Sequence, residues 1–173
     1  IWIDDPHGSP FFKQIRIGRH GKKFNMYKFR TMVVNADQMV DDLKDLNEAD
    51  GPQFKIKNDP RITRVGKILR RLSLDELPQL INVLRGEMSL VGPRPERPLF
   101  VEKFKEEIPR YMIKHQVRPG LTGWAQVNGY RGDTSITKRI EHDLYYIENW
   151  SLGFDFKIMF LTVFKGFINK NAY

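Results

Sequence analysis

Residues 70–79 read Arg70-Arg71-Leu72-Ser73-Leu74-Asp75-Glu76-Leu77-Pro78-Gln79 and join two predicted helices. The spacing Ser73-x-x-Glu76 matches a capping box, in which two side chains satisfy backbone groups at a helix start. A second arrangement makes Asp75 the N-cap and places Pro78 in the first turn. Both arrangements predict a helix over residues 76–85, with two carboxylates at its positive end.

The chain on either side predicts further helices. Asp59 suits an N-cap and Pro60 a first helical position, so a helix is expected to open there. Its predicted apolar stripe consists of Ile62, Val65, Leu69 and Leu72, and a row of cations on another side consists of Arg61, Arg64, Lys67 and Arg71. Helices are also expected over residues 35–48, 96–107, 109–116, 135–150 and 153–169.

Residues 11–32 predict an extended region, in which two strand-like runs flank the turn signal Gly18-Arg19-His20-Gly21. Residues 118–123 are expected to form a turn or loop. The chain is therefore predicted to be α+β, a mostly helical single domain with a small β-hairpin or sheet. The helix over 153–169 is apolar around most of its circumference, which fits either plain core packing or a membrane interface.

Composition narrows the classes of partner. The 173 residues are 40% hydrophobic, which argues against disorder, and there is no cysteine, which excludes disulfides and cysteine metal sites. The net charge of +8 favours an anionic partner: a nucleic acid, a phosphorylated substrate or an anionic membrane. No apolar run reaches the roughly 18 residues that span a bilayer.

The acidic pair Asp75-Glu76 can be more than a helix cap. One carboxylate can attack phosphorus while the other holds a divalent metal, and oxygen-rich sites select Mg²⁺. Downstream, Pro93 and Pro95 restrict the backbone of Arg94, whose guanidinium suits fork-like recognition of phosphate. The simpler interpretations are a capping pair and a solvated loop arginine.

Several segments, in order along nearly all of the chain, resemble the bacterial sugar transferases, which are monotopic polyprenyl-phosphate phosphoglycosyl transferases. The matching segments are Phe24-x-x-Tyr27-Lys28-Phe29-Arg30-Thr31-Met32, Arg70-x-Leu72-Ser73-Leu74-Asp75-Glu76-Leu77-Pro78-Gln79, Asn82-Val83-Leu84-Arg85-Gly86-Glu87-Met88-Ser89-Leu90-Val91-Gly92-Pro93-Arg94-Pro95, Arg118-Pro119-Gly120-Leu121-Thr122-Gly123-Trp124-Ala125-Gln126-Val127-Asn128-Gly129, Asp143-Leu144-Tyr145-Tyr146 and Phe164-Lys165-Gly166-Phe167.

The resemblance implies a two-step reaction. Asp75 would attack the sugar-proximal phosphate of a UDP-sugar and expel UMP, and the phosphosugar would then pass to polyprenyl (undecaprenyl) phosphate. Glu76 would be the Mg²⁺ ligand, and Arg70, Arg94 and Lys28 would contact phosphates. Gln126 is a predicted nucleotide contact. The C-terminal residues 169–173 look like members that transfer glucose or galactose phosphate.

The resemblance also implies a place in the cell. Family members act at the cytosolic face of the bacterial inner membrane, in the first membrane step of exopolysaccharide, capsule, O-antigen or glycoprotein glycan assembly. They begin with a re-entrant membrane helix before the segment that matches Ser9-Pro10-x-Phe12. Residues 1–173 are therefore expected to be a catalytic domain without that helix, and membrane lipid is an expected partner.

Two other functions compete with this one. The cation row from Arg61 to Arg71 fits a basic nucleic-acid-binding module, and the apolar last helix fits a noncatalytic peripheral membrane protein. No helix-turn-helix, zinc-finger or RNA-recognition signature supports the first, so nucleic acid is not an expected partner. A binder of polyanions also gains nothing from Asp75 and Glu76 beside its cations.

Overall fold

The computed structural model describes residues 1–47, 56, 58–130 and 134–166. Its first elements are strands β1 (Phe11–Ile17) and β2 (Lys23–Phe29), which pair antiparallel with Phe11 opposite Phe29. The turn between them places His20 and Gly21 at φ 56° and 73°, so the predicted hairpin is confirmed. On β2, the side chains of Phe24 and Met26 are buried against Met88.

Helix α1 (Arg64–Arg71) starts later than the sequence predicts. Its N-cap is Thr63, whose Oγ1 accepts from the Gly66 amide at 2.9 Å. The prediction of Asp59 as N-cap is wrong, because the Asp59 carboxylate instead accepts from the backbone and guanidinium of Arg61, with Oδ2 2.6 Å from Nη2. Arg61 is thereby buried and leaves the predicted row of exposed cations.

Gly66 allows α1 to lie directly on the chain that follows β2. A Cβ atom at Gly66 would lie 2.1 Å from the carbonyl oxygen of Thr31, far inside contact distance. We expect Gly66→Ala to lower the free energy of unfolding by about 1–3 kcal/mol through this overpacking, as measured by urea denaturation.

The matched control is Gly153→Ala in the last helix, where an added Cβ meets no atom within 4 Å. It should leave stability unchanged or raise it slightly, because alanine favours the helix. Equal stability of the two variants would contradict the close contact at Gly66.

The stretch 70–79 forms a one-turn 3₁₀ helix, Leu74–Glu76, followed by helix α2 (Gln79–Leu84), which ends before Gly86 at φ 73°. The helix predicted over residues 76–85 is therefore confirmed as α2 but starts three residues later. The capping box is wrong, since Ser73 adopts a left-handed conformation at φ 55° and its side chain makes no capping hydrogen bond. The alternative with Asp75 as N-cap is also wrong, because Pro78 occupies the N-cap of α2.

A second, parallel pair joins β3 (Ser89–Val91) to β4 (Gly120–Thr122). The prediction of a loop over residues 118–123 is therefore wrong for residues 120–122, which form β4. The close approach depends on glycine, because a Cβ atom at Gly120 would lie 2.1 Å from the amide nitrogen of Gly92. This contact ties the chain after β3 to β4.

The remaining elements are helical. They are the 3₁₀ helices Gln38–Leu46 and Tyr111–Gln116, and the α-helices α3 (Pro98–Glu107), α4 (Trp124–Val127), α5 (Ile136–Glu148) and α6 (Leu152–Gly166). The helices predicted over residues 35–48, 96–107, 109–116 and 135–150, and the described part of the one over 153–169, are confirmed, two of them as 3₁₀ rather than α, whereas α4 was not predicted. The residues 167–173 that ended the predicted last helix and carried the hint of sugar lie outside the described residues.

The core lies between the hairpin and the helices. One cluster joins Ile17 of β1 to Phe100 and Phe104 of α3, Tyr111, and Ile140 and Leu144 of α5. A second cluster packs α6 through Ile158 against Val91, Val127 and Tyr146. The α+β prediction is thus confirmed as a largely helical domain with two small sheets. Within the described ranges, we find no helix with the length and apolar character needed to cross a membrane.

Candidate active site

The acidic pair lies at the turn between α1 and α2 and points inward. Asp75 and Glu76 are only 4% and 7% exposed, although both are charged types that normally face water. The left-handed Ser73 follows α1, and the single 3₁₀ turn that carries both carboxylates packs against β2. Buried carboxylates require compensating charge, so their neighbours define the site.

Two cations predicted to bind phosphate meet Glu76. Lys28 extends from β2 and places Nζ 2.8 Å from Glu76 Oε1, and Arg94 places Nη2 3.5 Å from the same oxygen. The pKa of Lys28 lies below its ordinary value. Burial is the largest cause, the Glu76 carboxylate raises the pKa in part, and the charge of Arg94 lowers it. Residues from three separate parts of the chain therefore share one charged site.

The loop that holds Arg94 is fastened on both sides of that residue. Pro93 and Pro95 are buried, while the Arg94 side chain stays partly accessible at 21%. The Gly120 amide donates to the Pro93 carbonyl at 2.9 Å, and Arg16 Nη1 donates to the Pro95 carbonyl at 3.1 Å. A rigid backbone on either side leaves the guanidinium a small range of positions beside Glu76.

Arg70 and Gln126 lie in different surroundings. Arg70 sits at the end of α1, where its Nε donates to Thr31 Oγ1 at 2.9 Å and its carbonyl accepts from the Ser73 amide at 3.0 Å. In sequence it lies five residues before Asp75. Gln126 is buried on α4, which packs against α5 and α6, and its contact with a nucleotide stays a prediction.

Two residues that sequence reasoning missed support the site. Asn82 is fully buried and ties α2 to β2, since its Oδ1 accepts from the Tyr27 amide at 3.1 Å and its Nδ2 donates to the Asn25 carbonyl at 2.8 Å. Arg16 lies behind Arg94, and burial together with the Arg94 charge lowers its pKa to about 10. A signal for Asn82 was available, because it is the one polar residue within Leu80–Leu84.

The carboxylates of Asp75 and Glu76 suit a hard cation whose remaining ligands come from a bound substrate. Among the described residues no cluster of three or more His, Asp or Glu side chains could enclose a metal ion. Asp75 and Glu76 nevertheless offer adjacent carboxylate oxygens, and Mg²⁺ is usually bound by one or two carboxylates plus substrate phosphates. The residues present therefore fit Mg²⁺ delivered together with a phosphorylated substrate.

The chain is similar to known proteins along nearly all of its length. The profile of the family described as "Bacterial sugar transferase" matches residues 1–169. The UDP-glucose:undecaprenyl-phosphate glucose-1-phosphate transferase of Escherichia coli K12 is 51% identical over 170 residues, which cover 96% of this chain and 34% of the relative. The protein of that name from Klebsiella pneumoniae is 51% identical over 172 residues, covering 96% and 34%.

A third relative is named for a different sugar. The UDP-N-acetylgalactosamine-undecaprenyl-phosphate N-acetylgalactosaminephosphotransferase of Aeromonas hydrophila is 49% identical over 165 residues, covering 94% of this chain and 36% of the relative. The chain thus spans about a third of the length of these relatives. The match over residues 1–169, together with this level of identity, shows that the chain belongs to the bacterial sugar transferase family.

Proposed function

We propose that this chain transfers a hexose 1-phosphate from a UDP-sugar to polyprenyl (undecaprenyl) phosphate and releases UMP. The observation that carries the proposal is the buried pair Asp75-Glu76 with Lys28 and Arg94 on Glu76 Oε1 at 2.8 and 3.5 Å. Carboxylates can serve as nucleophiles in phosphoryl transfer, and cations beside them neutralise the charge of the phosphates. The names of the relatives, which specify UDP-sugars and undecaprenyl phosphate, support the same reaction.

In the first half-reaction an Asp75 carboxylate oxygen attacks the sugar-proximal phosphorus. The new bond joins this oxygen to phosphorus, and the bond from phosphorus to the bridging oxygen breaks, so that UMP leaves with that oxygen. Lys28 and Arg94 would hold the diphosphate oxygens, which otherwise repel an anionic nucleophile. Arg70, whose carbonyl accepts from the Ser73 amide, would extend this cationic wall towards the leaving phosphate.

In the second half-reaction an oxygen of the lipid phosphate attacks the same phosphorus. The bond to Asp75 breaks, the carboxylate is regenerated, and the product is a polyprenyl diphosphate sugar. One site then serves donor and acceptor in turn, which implies ping-pong kinetics. Glu76 would hold Mg²⁺, which supplies electrostatic stabilisation of the phosphate charge when bound.

The exposed surface on both sides of the acidic pair supports a lipid acceptor and contact with a membrane. Apolar side chains on both sides of Asp75-Glu76 are exposed by 38–88%, namely Ile68, Leu72, Leu74, Leu77, Leu80, Ile81 and Leu84. On α6, Ile158 is fully buried while Phe156, Phe160, Val163 and Phe164 are more than half exposed. We propose that these faces meet membrane lipid at the cytosolic side of the bacterial inner membrane, in the first membrane step of glycan assembly.

Release of UMP is the direct test. Full-length protein in membranes, given Mg²⁺, polyprenyl phosphate and a panel of UDP-hexoses and UDP-N-acetylhexosamines, should release UMP from at least one donor. The relatives' names place glucose and N-acetylgalactosamine in that panel. No UMP from any donor, combined with salt-sensitive DNA binding, would favour the nucleic-acid module instead.

Arg94→Lys should impair turnover more than Arg97→Lys does. Lysine keeps the positive charge but loses the planar fork that can grip two phosphate oxygens, so we expect kcat/KM to fall about 10- to 100-fold. Arg97 is the matched control, because it is exposed at the start of α3 and only three residues away. Steady-state kinetics with equal, small losses for both variants would place Arg94 outside the phosphate site.

A further inference from the structure

The loop from Gly92 to Arg97 carries Arg94 to the acidic pair, and its far end is held as firmly as its near end. At the near end, the Gly92 amide donates to the Thr122 carbonyl at 2.9 Å. At the far end, the Ile17 amide donates to the Glu96 carbonyl at 3.0 Å. The Glu96 side chain is left to make a separate contact.

That contact is an ion pair in the interior. Glu96 Oε1 lies 3.0 Å from Nη2 of Arg139 on α5, and the two side chains are 5% and 3% exposed. The backbone at Arg139 is held in place, because Ile140, the next residue on α5, packs in the core cluster that also contains Phe100 and Tyr111. The pair therefore connects the Arg94 loop to α5.

The charge of Glu96 also matters to the cations around it. Burial lowers the pKa of Arg16 most, the charges of Arg94 and Arg97 lower it further, and the Glu96 carboxylate raises it. Arg16 in turn donates to the Pro95 carbonyl, in the same loop. Without the Glu96 carboxylate, repulsion among these guanidinium groups would tend to push Arg94 away from its place beside Glu76.

We propose that the buried Arg139–Glu96 pair is a positioning element, which fixes the 92–97 loop so that Arg94 meets Glu76 and the phosphates of the donor. Neither Arg139 nor Glu96 touches the substrate. Their effect on turnover passes through Arg94, so this inference rests on the proposed function.

A double-mutant cycle separates positioning from a general structural role. In otherwise native full-length protein, Glu96→Gln should reduce kcat/KM for the UDP-sugar by about 10- to 100-fold, the cost of a small misplacement of a catalytic group. In an Arg94→Ala background, the same change should cost less than about threefold, because coupled residues are not additive. Equal losses in the two backgrounds would overturn the proposal.

Two further variants serve as a control for the cycle and as a replacement for a variant that does not fold. Glu102→Gln removes a carboxylate from an exposed pair with Lys105 on α3 and should leave kcat/KM unchanged. If Glu96→Gln does not fold, Arg139→Lys takes its place, since it keeps the buried charge and loses only the fork. That variant should show the same dependence on Arg94, and loss of kcat/KM that is independent of Arg94 would again overturn the proposal.

A structural measurement decides the question apart from activity. In crystal structures of native protein and of the Glu96→Gln or Arg139→Lys variant, Arg94 Nη2 should move from within 4 Å of Glu76 Oε1 to a longer distance in the variant. An unmoved Arg94 would refute positioning. If native protein releases no UMP from any donor, the proposed function fails, and this comparison still decides whether the pair positions Arg94.

Discussion

Asp75→Asn should abolish release of UMP, with kcat falling by roughly 10⁴-fold or more, the scale seen when an enzyme loses its nucleophile. Asparagine has nearly the size of aspartate, so the turn Leu74–Glu76 can keep its shape. It has no anionic oxygen, and so it cannot form the bond to phosphorus. The measurement is UMP release with the preferred UDP-sugar, Mg²⁺ and polyprenyl phosphate.

The matched control is Asp42→Asn, which removes one carboxylate from the exposed side of the helix Gln38–Leu46. It should release UMP at the native rate. Thermal denaturation of both variants should show a folded protein at the assay temperature. Turnover by Asp75→Asn within tenfold of native would leave the acidic pair without a catalytic role.

Glu76→Gln should reduce turnover by about 10²- to 10³-fold, the effect of removing one preorganised electrostatic group from an active site. It should also raise the Mg²⁺ concentration needed for half-maximal rate, because glutamine is a weaker ligand for a hard cation than a carboxylate. The measurement is a Mg²⁺ titration at fixed UDP-sugar. Native Mg²⁺ dependence in this variant would remove Glu76 as the metal ligand.

Stability must be separated from catalysis in that variant, since Lys28 and Arg94 both lose the Glu76 carboxylate. We expect a loss of about 1–3 kcal/mol in the free energy of unfolding, because a charged group is left without its hydrogen-bonded partner. The double variant Glu76→Gln/Lys28→Met removes one of the two stranded charges and should recover part of this loss in stability. Turnover is compared for Glu76→Gln alone, and native turnover in folded Glu76→Gln protein would remove the electrostatic role of Glu76.

Local patterns predicted much of the fold. The hairpin followed from two strand-like runs around Gly18–Gly21, and α5 and α6 followed from helical periodicity. The start of α1 could not be predicted this way, because Asp59 has two possible uses and its buried pair with Arg61 prevails over capping. Strand β4 is three residues long and depends on the distant contact of Gly120 with Gly92, which leaves no alternation to detect.

The residues of the candidate site were selected from the sequence, but the contacts among them follow from the fold. Asp75, Glu76, Lys28 and Arg94 could be selected as residue types in recognisable segments, yet only the fold brings β2, the turn after α1 and the loop after β3 to one oxygen of Glu76. The pair of Glu96 with Arg139 was not predictable, since its members lie on different elements and each is also an ordinary surface residue type.

Both proposed half-reactions pass through a covalent phosphosugar on Asp75, which intact-protein mass spectrometry can detect. Full-length protein is incubated with its UDP-sugar and Mg²⁺ in the absence of polyprenyl phosphate, so that the intermediate cannot pass on its group. We expect an added mass equal to one sugar phosphate, mapped by peptide analysis to Asp75 and missing in Asp75→Asn. An adduct on another residue, or no adduct in protein that turns over normally once the lipid is supplied, would contradict this expectation.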